Sequence, residues 1–363
     1  MSNKTNKTIL HILNAINPFY WITRIRNHAF DKGHIKETNF DLPVICIGNI
    51  TVGGTGKTPH TEYLIRLLKE KENVAVLSRG YGRKTKGFIK ASNSSNMQEI
   101  GDEPFQIKSK FSEITVAVDE KRVEGIEILL KECQPSVILL DDAYQHRHVK
   151  AGMNILLIDC NRPIWNDCQL PFGRLREDAN GSLRADIIII TKCPLQMSRE
   201  QQDDCKNALK TKKGVPIFFS TMRYGKIYPL FPNYCKKTSN TIKEKNVLLL
   251  TGIAKPAPLK AELMSNGAEV TLKQYADHHN FSKKELEEVS STFDALKGEK
   301  IIVTTEKDAS RLTGRNDIPQ NILENIYALP IEVVFLNDEQ KMFNQIILDY
   351  VTKNSGDSRV LKS

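Results

Sequence analysis

The sequence predicts an α/β fold, in which a doubly wound, mostly parallel sheet is joined to a second, smaller α/β domain and preceded by an amphipathic helix. The chain has 363 residues, more than a single hydrophobic core usually serves. Short apolar runs alternate with helical patterns along most of its length. These runs are apolar at successive positions, which indicates strands covered by helices on both faces.

The N-terminal helix is predicted within residues 1–30, where apolar residues recur at helical spacing. They are Ile9, Leu10, Ile12, Leu13, Ile16, Phe19, Tyr20 and Ile22. The stretch is too short and too polar to span a bilayer, and it lacks the long apolar centre of a secretory signal. Trp21, followed by Arg24 and Arg26, favours a helix lying in a membrane interface. The alternative is that its apolar face packs on the protein's own core.

The larger domain is predicted over residues 31–222. Its predicted strands are residues 44–47, 74–77, 115–118, 137–140, 155–158, 187–190 and 217–219, and its clearest helices are 58–71 and 123–132. Strands and helices in alternation predict a parallel sheet with helices on its faces.

A second α/β unit is predicted over residues 247–351, after a connector or small hairpin at 223–246 that is rich in Tyr, Pro, Lys and Asn. Its predicted elements are strands 247–250 and 301–304, helices 258–266 and 283–296, and a closing helix at 338–351. Residues 352–363 are predicted to be a flexible tail.

A glycine-rich segment between the first strand and the following helix carries the strongest chemical signal. It comprises Thr51, Val52, Gly53, Gly54, Thr55, Gly56, Lys57 and Thr58. Backbone N–H groups in such a turn face phosphate oxygens at a helix N-terminus, whose dipole favours negative charge. Lys57 is then expected to reach the β- and γ-phosphates, and the Thr58 hydroxyl to coordinate magnesium. The segment therefore predicts a P-loop NTPase-like domain that binds ATP and Mg²⁺.

A pair of acids, Asp141 and Asp142, follows the predicted strand 137–140. Ligands of open α/β sheets bind at the carboxyl ends of the strands, so this is where a P-loop enzyme needs a magnesium partner. Two acids capping a turn are the simpler alternative. His146 and His148 lack a suitably spaced third ligand, which favours substrate contact or loop packing over a metal site.

Composition limits the partners without choosing one. The net charge of +9 suggests an anionic partner, which nucleic acid, anionic lipid headgroups and phosphorylated substrates all satisfy. The seven cysteines form no C-x-x-C pair, which is typical of reduced thiols in a cytosolic environment. No role is assigned to them.

Other short segments are individually weak, because each is common in ordinary turns. Their joint order resembles the tetraacyldisaccharide 4′-kinases of lipid A biosynthesis over about residues 30–310. The segments are G-N-I-T-V-G-G-T-G-K-T-P, S-R-G-Y-G-R, G-D-E-P, D-D-A-Y-Q-H-R, L-P-F-G-R-L-R-E, T-G-I-A-K-P, D-H-H-N-F and T-E-K-D. The family's P-loop begins with threonine, as here at Thr51. Ala143 and Tyr144 depart from its usual Gly-Leu or Gly-Phe, and Phe172 and Arg174 from its usual Ala and Pro.

The resemblance implies transfer of the ATP γ-phosphate to the 4′-hydroxyl of a lipid-linked glucosamine disaccharide 1-phosphate, with Mg²⁺, at the cytoplasmic face of the bacterial inner membrane. By matching motif positions, Asp102 would be the base, and His278 of the second domain would pair with it after interdomain closure. Glu103 and Asp142 would help to order metal and nucleotide. The residues expected to contact substrate are Arg79, Tyr81, Gln145, His146 and Arg176.

Two other functions compete with the kinase. A P-loop GTPase usually carries Asn-Lys-x-Asp for guanine, but residues 191–194 read Thr-Lys-Cys-Pro and supply no aspartate. A nucleic-acid-dependent ATPase needs a basic patch interleaved with aromatic residues, whereas the basic residues here are dispersed. The sequence thus favours a kinase with a lipid substrate, a membrane surface as partner, no nucleic acid and no obligate protein partner.

Overall fold

The structure is a computed structural model that describes residues 16–235, 241–253, 255–277 and 279–355. The first part of the predicted N-terminal apolar stretch, His278 and the predicted tail from residue 356 lie outside the described residues.

The described residues form fourteen strands. They are β1 (Val44–Gly48), β2 (Val74–Ser78), β3 (Ile89–Lys90), β4 (Thr115–Val118), β5 (Val137–Asp141), β6 (Met153–Asp159), β7 (Ile187–Thr191), β8 (Ile217–Tyr224), β9 (Tyr228–Pro229), β10 (Asn246–Thr251), β11 (Glu269–Gln274), β12 (Lys300–Thr305), β13 (Ile326–Leu329) and β14 (Ile331–Phe335). The helices, again among the described residues, are α1 (Pro18–Asp31), α2 (Lys57–Leu68), α3 (Met97–Ile100), α4 (Asp102–Lys110), α5 (Arg122–Glu132), α6 (Arg199–Ala208), α7 (Ala257–Ser265), α8 (Lys283–Ala295), α9 (Glu306–Leu312), α10 (Gln320–Asn325) and α11 (Gln340–Asn354).

Nine strands form the larger sheet, in the order β14-β8-β7-β6-β1-β5-β2-β4-β3. The seven predicted strands pair in parallel, whereas β3 and β14 are antiparallel edges. Along β1, side chains of alternate residues enter opposite cores, so Ile45 faces one helical layer and Cys46 the other. This two-sided burial explains the uninterrupted apolar runs and confirms the predicted α/β fold.

The end of the chain returns to the larger sheet, which corrects the predicted extent of the smaller unit. The sequence predicts that residues up to 351 belong to the second unit, because they follow its other elements along the chain. Strand β14 instead pairs with β8, with Val334 opposite Thr221. Phe343, Ile347 and Val351 of α11 are buried in the core that covers the larger sheet. The apolar face of α11 is buried only because the helix packs against the larger sheet, so these residues belong to the larger unit.

The smaller sheet has five strands, in the order β11-β10-β12-β13-β9. Strands β10 to β13 are parallel, and β9 runs antiparallel to β13. Within its described residues, the predicted connector contributes the edge strand β9, which pairs with β13. Buried residues from α8, including Leu286 and Phe293, pack against one face of this sheet.

Helix α1 packs on the larger unit by one face only. Asn17 is fully buried, caps the helix and donates from Nδ2 to the carbonyl of Leu170 at 2.7 Å. Phe30 is buried near the other end of the helix, under the guanidinium of Arg147 at 4.9 Å. Apolar side chains elsewhere on the helix are exposed, namely Phe19, Trp21, Ile22 and Ile25, as is Ile16 just before the helix. No helix within the described ranges is both long and apolar enough to cross a bilayer.

Candidate active site

The P-loop connects β1 to α2, as the sequence predicts. Gly56 has φ of +88°, a left-handed conformation that favours glycine, and a Cβ there would collide with Met222. Lys57 is the first residue of α2, and Thr58 follows it in the first turn. The loop thus opens a helix with its dipole directed at the space above it, the geometry that binds phosphate.

Hydrogen bonds brace the P-loop from within and from one side. Asn49 is fully buried, and its Nδ2 donates to Thr55 Oγ1 at 2.8 Å. The segment 174–176 runs beside the loop, since the N–H of Val52 donates to the carbonyl of Arg174 at 2.8 Å and the N–H of Arg176 to that of Ile50 at 2.7 Å. These bonds hold the backbone in shape before any phosphate binds.

Strand β7 braces the other side of the loop. Thr191 Oγ1 donates to the carbonyl of Thr55 at 2.8 Å. Lys192 donates from Nζ to the carbonyl of Gly54 and lies 2.8 Å from Asp159 Oδ2. The Thr-Lys-Cys-Pro segment therefore supports the P-loop, although it supplies no aspartate for a guanine base.

The two predicted magnesium acids stand beside the P-loop lysine. Lys57 Nζ lies 3.7 Å from Asp142 Oδ1, and Arg176 Nη1 lies 3.1 Å from the same oxygen. Asp141 is fully buried and accepts a hydrogen bond from Thr61 Oγ1 at 2.9 Å. Within the described part of the chain, Asp141 Oδ2 has no hydrogen-bond partner.

Burial and mutual repulsion disfavour negative charge on these carboxyl groups. Burial, with the neighbouring Glu103 and Asp142 carboxylates, raises the pKa of Asp141. Burial also raises the pKa of Glu103, and the Lys57 ammonium only partly offsets this. A divalent cation would relieve such a concentration of carboxylates. Magnesium usually takes one or two protein carboxylates together with phosphate oxygens and waters, so these residues fit a site for magnesium and a nucleotide.

Two glycine loops bring Asp102 and Glu103 to the same edge of the sheet. Gly101 precedes α4 with φ of +89°, and a Cβ on it would lie 2.9 Å from the carbonyl carbon of Gly80. A Cβ on Gly80 would in turn lie 2.8 Å from the carbonyl oxygen of Ile100. The segments S-R-G-Y-G-R and G-D-E-P therefore touch backbone to backbone, which requires glycine on both sides.

Asp102 is held from the smaller sheet by Arg311. Arg311 Nη2 donates to Asp102 Oδ2 at 2.7 Å, and its Nη1 donates to Asp308 Oδ1 at 2.8 Å. Asp308 is fully buried and also accepts from the N–H of Gly252 and from Thr251 Oγ1. The segments T-G-I-A-K-P and T-E-K-D thus form a scaffold for Asp102. The predicted dyad with His278 stays a prediction, because His278 lies outside the described residues.

The predicted substrate contacts differ in their surroundings. Arg79 and Tyr81 are exposed beside the G-D-E-P loop, and Tyr81 is 83% exposed. Gln145 donates to the carbonyl of Asn49 at 2.7 Å, and Arg176 is held on Asp142, so both also stabilise the site itself. Burial and then the Arg122 guanidinium lower the pKa of His146 to about 4, which keeps its ring neutral at physiological pH.

A cleft of about 1110 Å³ opens between α1 and the larger sheet. His146 and Arg147 line it on one side, and Trp21 and Arg24 of α1 line it on the other. The P-loop, Asp102 and Glu103 are not among its lining residues, so it lies away from the phosphate site.

Comparison with known proteins places the whole arrangement in one family. The sequence pattern of the LpxK family, described as tetraacyldisaccharide-1-P 4′-kinase, matches residues 7–352. This chain belongs to the tetraacyldisaccharide-1-P 4′-kinase family. A tetraacyldisaccharide 4′-kinase of Bacteroides fragilis is 49% identical over 338 residues, covering 91% of this chain and 90% of the relative. One of Bacteroides thetaiotaomicron is 45% identical over 356 residues, covering 94% of each chain.

A solved structure agrees with this family assignment. The crystal structure of LpxK from Aquifex aeolicus in complex with ATP has a TM-score of 0.72 and 27% identity to this chain, covering 95% of this chain and 99% of that one. The comparisons confirm the predicted family, the predicted P-loop fold and the prediction of a kinase.

In this member of the family, the departures from the usual residues at 143–144 and 172–174 have different surroundings. Tyr144 is buried, and its Oη donates to the carbonyl of Gly181 at 2.8 Å. Gly48 lies so close that a Cβ on it would come within 2.7 Å of the Tyr144 Cβ. Phe172, in contrast, is 49% exposed, in the loop that Asn17 contacts.

Sequence reasoning missed Asn49, Lys192 and Arg311. Arg311 lies three residues beyond T-E-K-D, and nothing local distinguishes it from a surface arginine. Asn49 lies inside the recognised P-loop segment, where its polarity between apolar neighbours was the available signal.

Proposed function

We propose that this chain transfers the γ-phosphate of ATP to the 4′-hydroxyl of a tetraacyldisaccharide 1-phosphate lipid, in a magnesium-dependent reaction. One observation carries the proposal. The P-loop lysine, the Asp141–Asp142 pair and the start of α4 with Asp102 and Glu103 converge at the carboxyl edge of one sheet. Phosphoryl transfer depends mostly on positioning and on neutralising charge, which this set of groups suits.

The P-loop and the acids take the donor side of the reaction. The backbone N–H groups of the loop and Lys57 would hold the β- and γ-phosphates. Thr58, Asp141, Asp142 and Glu103 would hold Mg²⁺, which when bound neutralises the developing charge of the transferred phosphoryl group. The related LpxK from Aquifex aeolicus supports this assignment, since its crystal structure is a complex with ATP.

Asp102 takes the acceptor side. Its Oδ2 accepts a hydrogen bond from Arg311 Nη2, which orients the carboxylate. A carboxylate so held would accept the proton of the lipid 4′-hydroxyl as that oxygen attacks phosphorus. We assign His278 as the partner of Asp102. We assign contact with the sugar and its 1-phosphate to the substrate candidates Arg79, Tyr81 and His146.

The membrane surface belongs to the same proposal. Helix α1 exposes Trp21, Ile22 and Ile25, and Trp21 and Ile25 also line the mouth of the cleft. Arg24 stacks on the Trp21 ring at 5.4 Å, so a cation adjoins this apolar face. An apolar helical face beside basic side chains suits the interface of an anionic bilayer, which is where a lipid substrate resides. We therefore place the protein peripherally on the cytoplasmic face of the inner membrane.

The proposed reaction is tested with the purified full chain, Mg²⁺, γ-labelled ATP and the tetraacyldisaccharide 1-phosphate in mixed micelles. We expect label in the lipid, and no label in a matched lipid whose 4′-hydroxyl is replaced by hydrogen. Label that appears only as free phosphate, or equally in the 4′-deoxy lipid, would overturn the proposed acceptor. Lys57→Ala is the matched inactive control.

A further inference from the structure

Three cysteines lie together beside the P-loop, and the proposed reaction uses none of them. Cys160 follows β6, Cys193 follows β7, and Cys205 lies in α6; all three belong to or pack against one apolar cluster with Ile190 and Phe219. All seven cysteines of the chain lie in the described residues, and none forms a disulfide. This group, Cys160, Cys193 and Cys205, is called the thiol cluster below.

Strand pairing brings two of these thiols into contact. Strands β6 and β7 are parallel neighbours, and the N–H of Cys160 donates to the carbonyl of Thr191 at 2.9 Å. Both side chains join the same apolar cluster, and Cys193 Sγ donates to the carbonyl of Ile190 at 3.3 Å. Cys193 is buried, whereas Cys160 is partly exposed. The pair therefore consists of one partly exposed cysteine and one buried cysteine.

The environment of the pair makes the outer sulfur the more reactive one. The neighbouring Cys193 side chain holds the pKa of Cys160 below its usual range. The pKa of Cys193 is raised, first by the neighbouring Cys160 side chain and then by burial. A low-pKa, accessible thiol with a resolving thiol behind it is the arrangement of redox-sensing cysteines in cytosolic proteins.

We propose that Cys160 and Cys193 are a redox-modification site that closes to a reversible disulfide on exposure to a peroxide. The Cys160 thiolate attacks a peroxide oxygen, the O–O bond breaks, and protonation gives a sulfenic acid and one water when the oxidant is hydrogen peroxide. The Cys193 thiol then attacks the sulfenic sulfur, the S–O bond breaks, and the S–S bond forms with loss of a second water. A dithiol reductant restores both thiols.

The disulfide acts on the P-loop through the residues between the two sulfurs. Asp159 precedes Cys160, Lys192 precedes Cys193, and the two side chains are ion-paired. Lys192 also donates to the carbonyl of Gly54 in the P-loop. Drawing the two sulfurs to bonding distance shifts both segments and weakens this brace. We expect an affinity for ATP lower by about tenfold, as for the loss of one or two hydrogen bonds.

The experiment treats the full chain with hydrogen peroxide and maps peptides without reduction by mass spectrometry, with fragmentation to locate the sulfurs. A Cys160–Cys193 cross-link that dithiothreitol removes is expected. It is absent in Cys160→Ser and retained in Cys133→Ser, a control for a partly buried cysteine outside the thiol cluster. Preferential oxidation of other cysteines, or a cross-link of Cys160 to Cys205, would overturn the assignment.

ATP affinity is measured on the same samples before oxidation, after oxidation and after reduction. The effect on ATP affinity rests on the proposed nucleotide site, whereas mass spectrometry detects the disulfide without reference to function. Failure of the disulfide and failure of the proposed function can therefore be distinguished. Wild type should lose affinity on oxidation and regain it on reduction, and Cys160→Ser should not respond. Unchanged ATP affinity in fully cross-linked protein contradicts the regulatory role.

Discussion

Asp102 depends on Arg311, a residue of helix α9 in the smaller unit. Arg311 has 1% of its side chain exposed and bridges Asp102 to the fully buried Asp308. The buried carboxylate of Asp308 needs this cation, because an uncompensated charge in the interior is costly. Fold stability and the position of the proposed general base therefore depend on one guanidinium.

Arg311→Leu is expected to lower the free energy of unfolding by about 3 kcal/mol or more, since it leaves a buried carboxylate without its cation. Urea unfolding measures this. The matched control is Arg223→Leu, which breaks an exposed ion pair with Glu332 at 3.4 Å and should cost about 1 kcal/mol or less. Equal losses in the two variants would show that Arg311 does not compensate a buried charge.

The residues of the site differ in how visible they are in the sequence. Lys57 and the Asp141–Asp142 pair follow buried strands, so their place at the carboxyl edge of the sheet follows from local pattern. The contact of Gly80 with Gly101 and the pairing of Arg311 with Asp102 join segments far apart in the chain. Such contacts arise only from tertiary packing, which periodicity does not describe.

At the scale of elements, strands buried on both faces were predictable and edge strands were not. Strand β11 reads Glu-Val-Thr-Leu-Lys-Gln and is half-exposed at the rim of the smaller sheet, so it lacks an apolar run. Strands β13 and β14 are separated by Pro330 alone, yet they join different sheets. A short strand joins whichever sheet has a free edge beside it, and local sequence does not reveal this. The prediction that the smaller unit extends to residue 351 was wrong for that reason, because β14 pairs with β8 of the larger sheet.

Helix α1 has buried residues that pack on the protein and exposed apolar residues that we propose contact the membrane, and substitutions can separate the two roles. Trp21→Ser combined with Ile25→Ser removes exposed apolar area without touching the packed face that contains Asn17 and Phe30. We expect weaker co-sedimentation with anionic vesicles and lower activity on vesicle-embedded lipid, with nucleotide binding retained, because burial of the apolar face drives binding.

The control for the α1 variant is Leu195→Ser, which removes a leucine that is 72% exposed in a turn outside α1. It should leave sedimentation unchanged. Wild-type sedimentation of the double α1 variant at both low and high salt would show that α1 does not anchor the protein.

At the scale of the whole molecule, a largely buried ionic network links helices of the larger unit to helix α9 of the smaller unit. Lys110 at the end of α4 lies 2.6 Å from Glu62 of α2 and 2.5 Å from Glu306 of α9. Burial, followed by the Glu62 carboxylate, raises the pKa of Glu306, and Lys110 opposes this shift. The ammonium thus holds together two carboxylates that would otherwise repel each other across the junction of the two units.

Lys110→Met should destabilise the protein more at pH 8 than at pH 5. With its pKa raised above the unfolded value, Glu306 contributes stability at low pH that is lost as pH rises through the folded pKa. Removing the ammonium raises that pKa further, so the loss at pH 8 should reach about 3 kcal/mol. Urea unfolding at both pH values checks this. Lys121→Met, which breaks an exposed pair with Glu124, should show no such pH dependence.

In the proposed reaction the P-loop binds the phosphate donor, ATP, and Asp102 acts as base on the acceptor hydroxyl. The most direct test measures ATP affinity and turnover at saturating ATP for Lys57→Ala and Asp102→Asn. We expect Lys57→Ala to lose both, because it removes charge from the bound phosphates. Asp102→Asn should keep ATP affinity within about threefold and lose about a hundredfold or more in turnover, as for removal of a general base. A collapse of ATP affinity in Asp102→Asn, with turnover preserved at saturation, would contradict the account.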